Sequence, residues 1–143
     1  MEIVIRLEIE SDEPIKVKVE QTEDKVEDQA YSIYARFFDE SSSVWSKDAE
    51  QNLTFLKLQQ QNANAKLKVQ GYLFLNDVYD MLGIARTKAG QVVGWVYDEN
   101  NTRGDNYVDF GIYKDGNRTF VNGYERSILL DFNVDGNILD RIK

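Results

Sequence analysis

The chain has no histidine and no cysteine among its 143 residues, and only one proline. The first two absences remove the commonest general base and the thiol nucleophile. They also remove every zinc, haem or iron–sulfur site that depends on imidazole or thiolate. Carboxylates, hydroxyls, amines and amides remain, and no arrangement of them specifies a reaction. The expectation is a non-enzymatic protein with no catalytic residues and no cofactor. One proline and nine glycines leave no room for a long flexible linker. No apolar run approaches the ~20 residues of a membrane span. The start, MEIVIRLEIE, lacks the basic and apolar runs of an export signal. With cysteine absent as well, the expected location is cytoplasmic.

Positive charge is also scarce. Seventeen basic residues face 25 acidic ones, for a net charge of −8. Residues 1 to 28 hold ten acids and four bases, a charge of −6, which leaves −2 for the remainder. Such a surface repels phosphate backbones, so direct nucleic-acid binding is not expected and a basic protein partner is the better fit. Glu8, Glu10, Glu20 and Glu23 are the candidate contacts of that acidic segment.

What is present reads as one α+β domain over 1–143. It comprises an N-terminal β-hairpin and helices (1–70), then a short helix and an antiparallel sheet (71–143). Apolar residues alternate at Ile3, Ile5, Leu7 and Ile9, and again at Ile15, Val17 and Val19. That period of two predicts a hairpin. Val26, Ala30, Ile33, Tyr34, Phe37 and Phe38 follow helical spacing, which predicts a helix over 23–39. Ser46 reads as the N-cap of a longer helix over 47–69 that Gly71 stops. Ala49, Leu53, Leu56, Ala63 and Leu67, with Gln60 in register, form a heptad-like seam. A helix laid on its own domain is favoured; a homo-oligomer through 47–69 is the alternative. Asn76 reads as the cap of a short helix over 77–82 that Gly83 terminates. Strands follow over 91–97, 107–113, around Phe120, and over 127–134, as a C-terminal antiparallel meander.

Three stretches, GYLFLNDVYDMLGI, GDNYVDFGIY and ILLDFNVDGNI, resemble a family of small uncharacterised proteins encoded by phages, prophages and integrative elements of Firmicutes. The resemblance spans residues 63 to 140. It implies a mobile-element context and a bacterial host cell, and brings no catalytic residues with it.

The sharpest local pattern is Asp131-Phe132-Asn133-Val134-Asp135-Gly136-Asn137-Ile138, which matches the first eight positions of a calcium loop. Asp131, Asn133 and Asp135 are therefore the candidate metal ligands, for Ca2+. The twelfth position, normally a bidentate acid, is Ile142, and the preceding residues read as strand. A hairpin turn at Asp135-Gly136, returning along Phe132, is the stronger reading. Asp109 and Asp131 would form an acid/base or Mg2+ site if their strands are neighbours, although solvated sheet-face acids are the commoner case. Trp95, Tyr97, Tyr107 and Tyr113 are the candidate aromatic contact patch, with a buried sheet face as the equal alternative. Arg103-Gly104-Asp105 reads as turn chemistry.

The leading functional expectation is a protein-interaction, assembly or accessory protein of a phage or mobile element. Two alternatives stand beside it: an acidic, DNA-mimic-like inhibitor of a host defence or nucleic-acid-binding protein, and a metal-binding module or metal-dependent enzyme built on the 131–135 loop.

Overall fold

Alternating aliphatic residues at the N-terminus form strands, as their period of two requires. In the computed structural model, β1 (Ile3–Glu8) pairs antiparallel with β2 (Ile15–Gln21), with Ile5 opposite Val19 and Leu7 opposite Val17. Residues 3–8, 15–21, 26–100 and 104–142 are described, the side chains from residue 31 onward. The predicted Ile9, Glu10 and Glu23 positions lie outside the described residues. By contact density the chain divides into two compact units, 1–35 and 36–143.

The first unit corrects the expected helix over 23–39. Residues Val26–Tyr31 form β3, antiparallel to β2, with Lys18 opposite Asp28 and Val19 opposite Glu27. The sheet order is β1-β2-β3. The physical reason is tertiary. Over 26–30 only Val26 and Ala30 are apolar, too narrow a stripe for a helix to bury, whereas the open edge of β2 offers a ladder along the whole segment. A tight turn ends the strand: the Ala35 N–H donates to Ser32 O (3.1 Å) and the Tyr34 N–H to Ser32 Oγ (3.2 Å).

The second unit starts with β4 (Arg36–Phe38), the other half of the expected helix. It pairs antiparallel with β7 (Ile128–Leu130), far downstream in the chain, Phe37 opposite Leu129. Between them runs α1 (Ala49–Gln70). Its N-cap is Asp48 and not Ser46: the Asp48 carboxylate accepts from Glu50 N (2.9 Å) and Gln51 N (3.3 Å). Ser46 instead accepts from Asp48 N. Gly71, at φ +84°, closes the C-terminus as expected, its N–H donating to Leu67 O. The helix seam turns inward. Leu56, Ala63 and Leu67 are fully buried within this unit, and Phe55 stacks on Phe38 at 5.8 Å. The favoured sequence reading of the seam, a helix on its own domain, matches that burial.

β5 (Tyr72–Phe74), β6 (Val93–Val96) and β8 (Gly136–Asn137) form a small sheet in the order β5-β6-β8. The expected C-terminal meander is thus replaced by two small antiparallel sheets, each joining strands distant in sequence. α2 (Leu75–Met81) follows β5 directly. Asn76 does not cap it. Its Oδ1 accepts from Thr87 N (3.0 Å) and its Nδ2 donates to Thr87 O (2.9 Å), pinning the loop that leads into β6. The cap contact comes from Asp77, whose carboxylate accepts from Phe74 N. Replacing buried Asn76 by alanine should cost about 2 kcal/mol in urea unfolding, because half-buried Thr87 loses both backbone partners. An effect under about 0.5 kcal/mol would show that the loop does not need this clamp.

Two further strand expectations are corrected. Residues around Phe120 form a short helix, α3 (Arg118–Val121), because the Asn117 carboxamide ties this corner to Gly111 O and Leu129 O. Residues 107–113 form no strand, with Gly111 at φ +71° and a turn at Ile112 and Tyr113, although Val108, Phe110 and Ile112 are buried as their alternation predicts. Side chains capture the backbone donors here in place of a neighbouring strand. Val108 N donates to Asn64 Oδ1 (2.7 Å), Phe110 N to Gln60 Oε1 (2.9 Å), and Gly111 N to Asp109 Oδ1 (2.8 Å). Gln60, the polar member of the seam, therefore sits there to hold this segment.

Candidate functional site

The 131–138 loop is built from hydrogen bonds already made. The Asn133 Oδ1 accepts from Trp95 Nε1 (2.9 Å) and from Asp109 N (2.7 Å). Its Nδ2 donates to Asp105 Oδ2 and to Tyr107 O, both at 3.0 Å. One carboxamide thus joins β6, the 105–109 segment and the loop itself. The Asp135 Oδ2 accepts from Val96 N (3.0 Å), and the Asp135 N–H donates to Gly94 O (2.8 Å). Arg141 lies 3.6 Å from the same carboxylate. Asp131 Oδ2 accepts from Lys114 Nζ at 2.6 Å.

The three candidate calcium ligands therefore face three different sets of donors. A cation would have to displace N–H groups from Asn133 and Asp135 and an ammonium from Asp131. Among the described residues no group of three or more acids converges as a metal site. The expected tight hairpin is corrected too: Gly136 and Asn137 pair with Gly94 and Val93 of β6 and do not return along Phe132. Melting curves in calcium and in chelator should coincide, because a ligand raises the midpoint only by binding the folded state. A higher midpoint in calcium would restore the metal reading.

Asp109 and Asp131 do come from neighbouring segments, since Asp131 N donates to Phe110 O and Asn133 N to Asp109 O. Their carboxylates are engaged separately, Asp109 by Gly111 N and Asp131 by Lys114. Gly104 of the Arg103-Gly104-Asp105 tripeptide packs its Cα against the Asp135 carboxylate, where a Cβ would collide with Oδ1. Arg103 lies outside the described residues.

The four aromatics of the expected patch separate. Trp95 is fully buried, with its indole N–H bonded to Asn133, and Tyr97 is half-buried. Tyr107 and Tyr113 are exposed, at 50% and 63%. Of the acidic contacts, Glu8 lies on β1 opposite Lys16, and Glu20 on β2 opposite Val4 and Val26.

A groove of about 510 Å³ lies elsewhere on the second unit, at residues that no sequence motif marks. It is lined by Phe37, Asp39, Glu40, Trp45, Tyr124, Glu125, Arg126 and Ser127. Its walls are held firmly. The Arg126 carbonyl accepts from Trp45 Nε1 and from Asn52 Nδ2, both at 3.0 Å, and Asn52 is itself buried. Asn52 also donates to Ser46 O and accepts from Ser46 N, so the 45–46 and 126 backbones are fastened together. On one side, pairing of β4 with β7 sets Phe37. On the other, the chain turns after α3 at Gly123 (φ +86°), and Tyr124 N and Glu125 N both donate to Thr119 O. That turn leaves the Tyr124 side chain 83% exposed. Asp39 Oδ1 accepts from Ser41 N and Ser41 Oγ, which fixes its carboxylate at the rim. The groove thus combines three aromatic rings with three carboxylates and one guanidinium. The sequence signal for it is slight: an aromatic directly after Asn122-Gly123, and a tryptophan among serines.

A surface pair between Asp80 of α2 and Arg86 of the loop after it is of a different kind. Hydrogen bonding from Arg86 holds the Asp80 carboxyl below its ordinary range. Any support this exposed pair lends is present at neutral pH and lost as pH falls through the lowered value.

Among the described residues no helix is long and apolar enough to cross a membrane. Residues 2–142 match the model of a family of unknown function (DUF6353). No curated protein and no solved structure matches the chain.

Proposed function

Since the chain belongs to a family of unknown function whose model covers residues 2–142, we propose that it is a non-enzymatic interaction protein, an assembly or accessory factor of a phage or other mobile element. It acts in the bacterial cytoplasm by contact with a basic protein. The observation that carries this reading is the charge: −8 overall, with −6 concentrated in residues 1 to 28. The phage context rests on the sequence resemblance alone. Asn133, Asn117, Asn76, Asn64 and Gln60 each brace a loop, so these amides serve the fold.

The test is affinity capture from infected or lysogenic cells at low and high salt. A retained protein rich in lysine and arginine, released as salt screens the contact, is the expected result. A bound fraction that is acidic or insensitive to salt would refute the reading.

The alternative is an inhibitor that covers the nucleic-acid groove of a host protein with the 1–28 segment. Its distinguishing outcome is competition: DNA or RNA should displace the chain from its partner. Reversing Glu8, Glu10, Glu20 and Glu23 to lysine should then abolish binding altogether. Unchanged binding by that variant would reject the inhibitor reading while leaving a contact through the second unit in place.

A further inference from the structure

We propose that the groove between Trp45 and Tyr124 is the docking site for an arginine side chain of that basic partner. The inference rests on the interaction reading above and names its contact. Three features point to a guanidinium. Phe37, Trp45 and Tyr124 line it, and a planar, weakly hydrated cation stacks on aromatic rings. Asp39, Glu40 and Glu125 line the same groove, so acceptors for a guanidinium fork come from the same set of residues. Of the lining residues only Arg126 opposes them, which leaves the lining at −2.

Burial supports the same conclusion. Tyr124 stands 83% exposed at the groove edge, the most exposed aromatic side chain described in this unit. Exposed tyrosine beside half-buried tryptophan and phenylalanine is the composition of a contact hot spot. The walls are already organised, since Arg126 O is held by two donors and β4 by β7, so little ordering is lost when a partner binds. A lysine would meet the same charges but without planar stacking or a bidentate fork, which favours arginine.

The chain carries only two tryptophans, and their environments make the test direct. Trp45 lines the groove, and Trp95 is buried with its N–H on Asn133. Titrating the ¹⁵N-labelled full chain with hexa-arginine should move the Trp45 indole N–H resonance and leave that of Trp95 in place. Hexa-lysine should bind more weakly, and hexa-glutamate should not bind. Tyr124→Ala, a change at an exposed position, should weaken hexa-arginine binding about tenfold, and Glu125→Lys should do the same. Both variants should keep the parent far-UV spectrum.

Movement of both indoles alike, or affinity unaffected by Tyr124→Ala, would overturn the groove as the site. If hexa-arginine binds through resonances of residues 1–28 alone, the groove proposal fails and the basic-partner reading survives. If it binds nowhere at low salt, both fail. Movement of Trp45 with protein concentration alone would put a second copy in the groove, and that too would overturn the proposal.

Discussion

Gly94→Ala is expected to abolish cooperative folding of the 36–143 unit, or to cost at least about 4 kcal/mol where folding survives. Gly94 lies on the middle of three strands, opposite Phe74 on one side and Gly136 on the other. A Cβ there would collide with Leu73 O, and would lie 2.8 Å from Phe74 Cα and 2.9 Å from Leu73 C. All three are backbone atoms of the neighbouring strand, so no rotamer change relieves the clash. Shifting β6 away from β5 would break the ladder and pull fully buried Trp95 from its place. It would also disturb the Gly94 carbonyl that accepts from Asp135 N. A contrasting glycine calibrates the effect. Gly123 has a left-handed φ of +86°, but a Cβ added there would meet nothing within 4 Å. Gly123→Ala should cost about 1 kcal/mol from backbone conformation alone. Urea unfolding followed by circular dichroism measures both. Equal, small losses at the two positions would mean that β5 and β6 can part without cost to the core.

The second large effect is expected at Asn133. Its carboxamide makes four hydrogen bonds, which is its ordinary capacity of two donors and two acceptors. Alanine would strand the N–H of buried Trp95 and that of Asp109, besides releasing Asp105 and Tyr107 O. Unsatisfied buried donors cost about 1–3 kcal/mol each, so Asn133→Ala should lose about 3–5 kcal/mol. Asn133→Asp separates the two halves of the site. It keeps an acceptor for Trp95 and Asp109 but replaces the donor to Asp105 with a like charge. Its loss relative to the parent should be largest at neutral pH and should shrink as the carboxyls protonate in acid. If Asn133→Ala unfolds with the parent midpoint, the loop is not held by this residue, and water must replace it at little cost.

These two positions also mark how far the sequence can be read. The Asp131–Ile138 pattern is recognisable as unusual, and oxygen-bearing side chains at alternate positions suggest a cation. The same oxygens serve backbone and indole N–H groups. Nothing in a linear pattern distinguishes the two, because calcium and an N–H both seek a hard, partly negative oxygen. Gly94 carries no warning either: a glycine in a strand reads as a weakness until the strand that presses against it is known.

By itself the chain determined the overall class, the acidic charge, the inward seam of α1 with its glycine stop, and the burial of Val108, Phe110 and Ile112. These follow from composition and from the strand and helix periodicities, which depend only on neighbours along the chain. Tertiary structure alone decided that 26–31 and 36–38 are strands, that 107–113 lies along side-chain amides in place of a ladder, and that Phe37, Trp45 and Tyr124 share one groove. Most of those outcomes depend on a partner far away in the chain. Backbone groups take whichever acceptor or donor the packed core brings to them, and that choice is not written in local sequence.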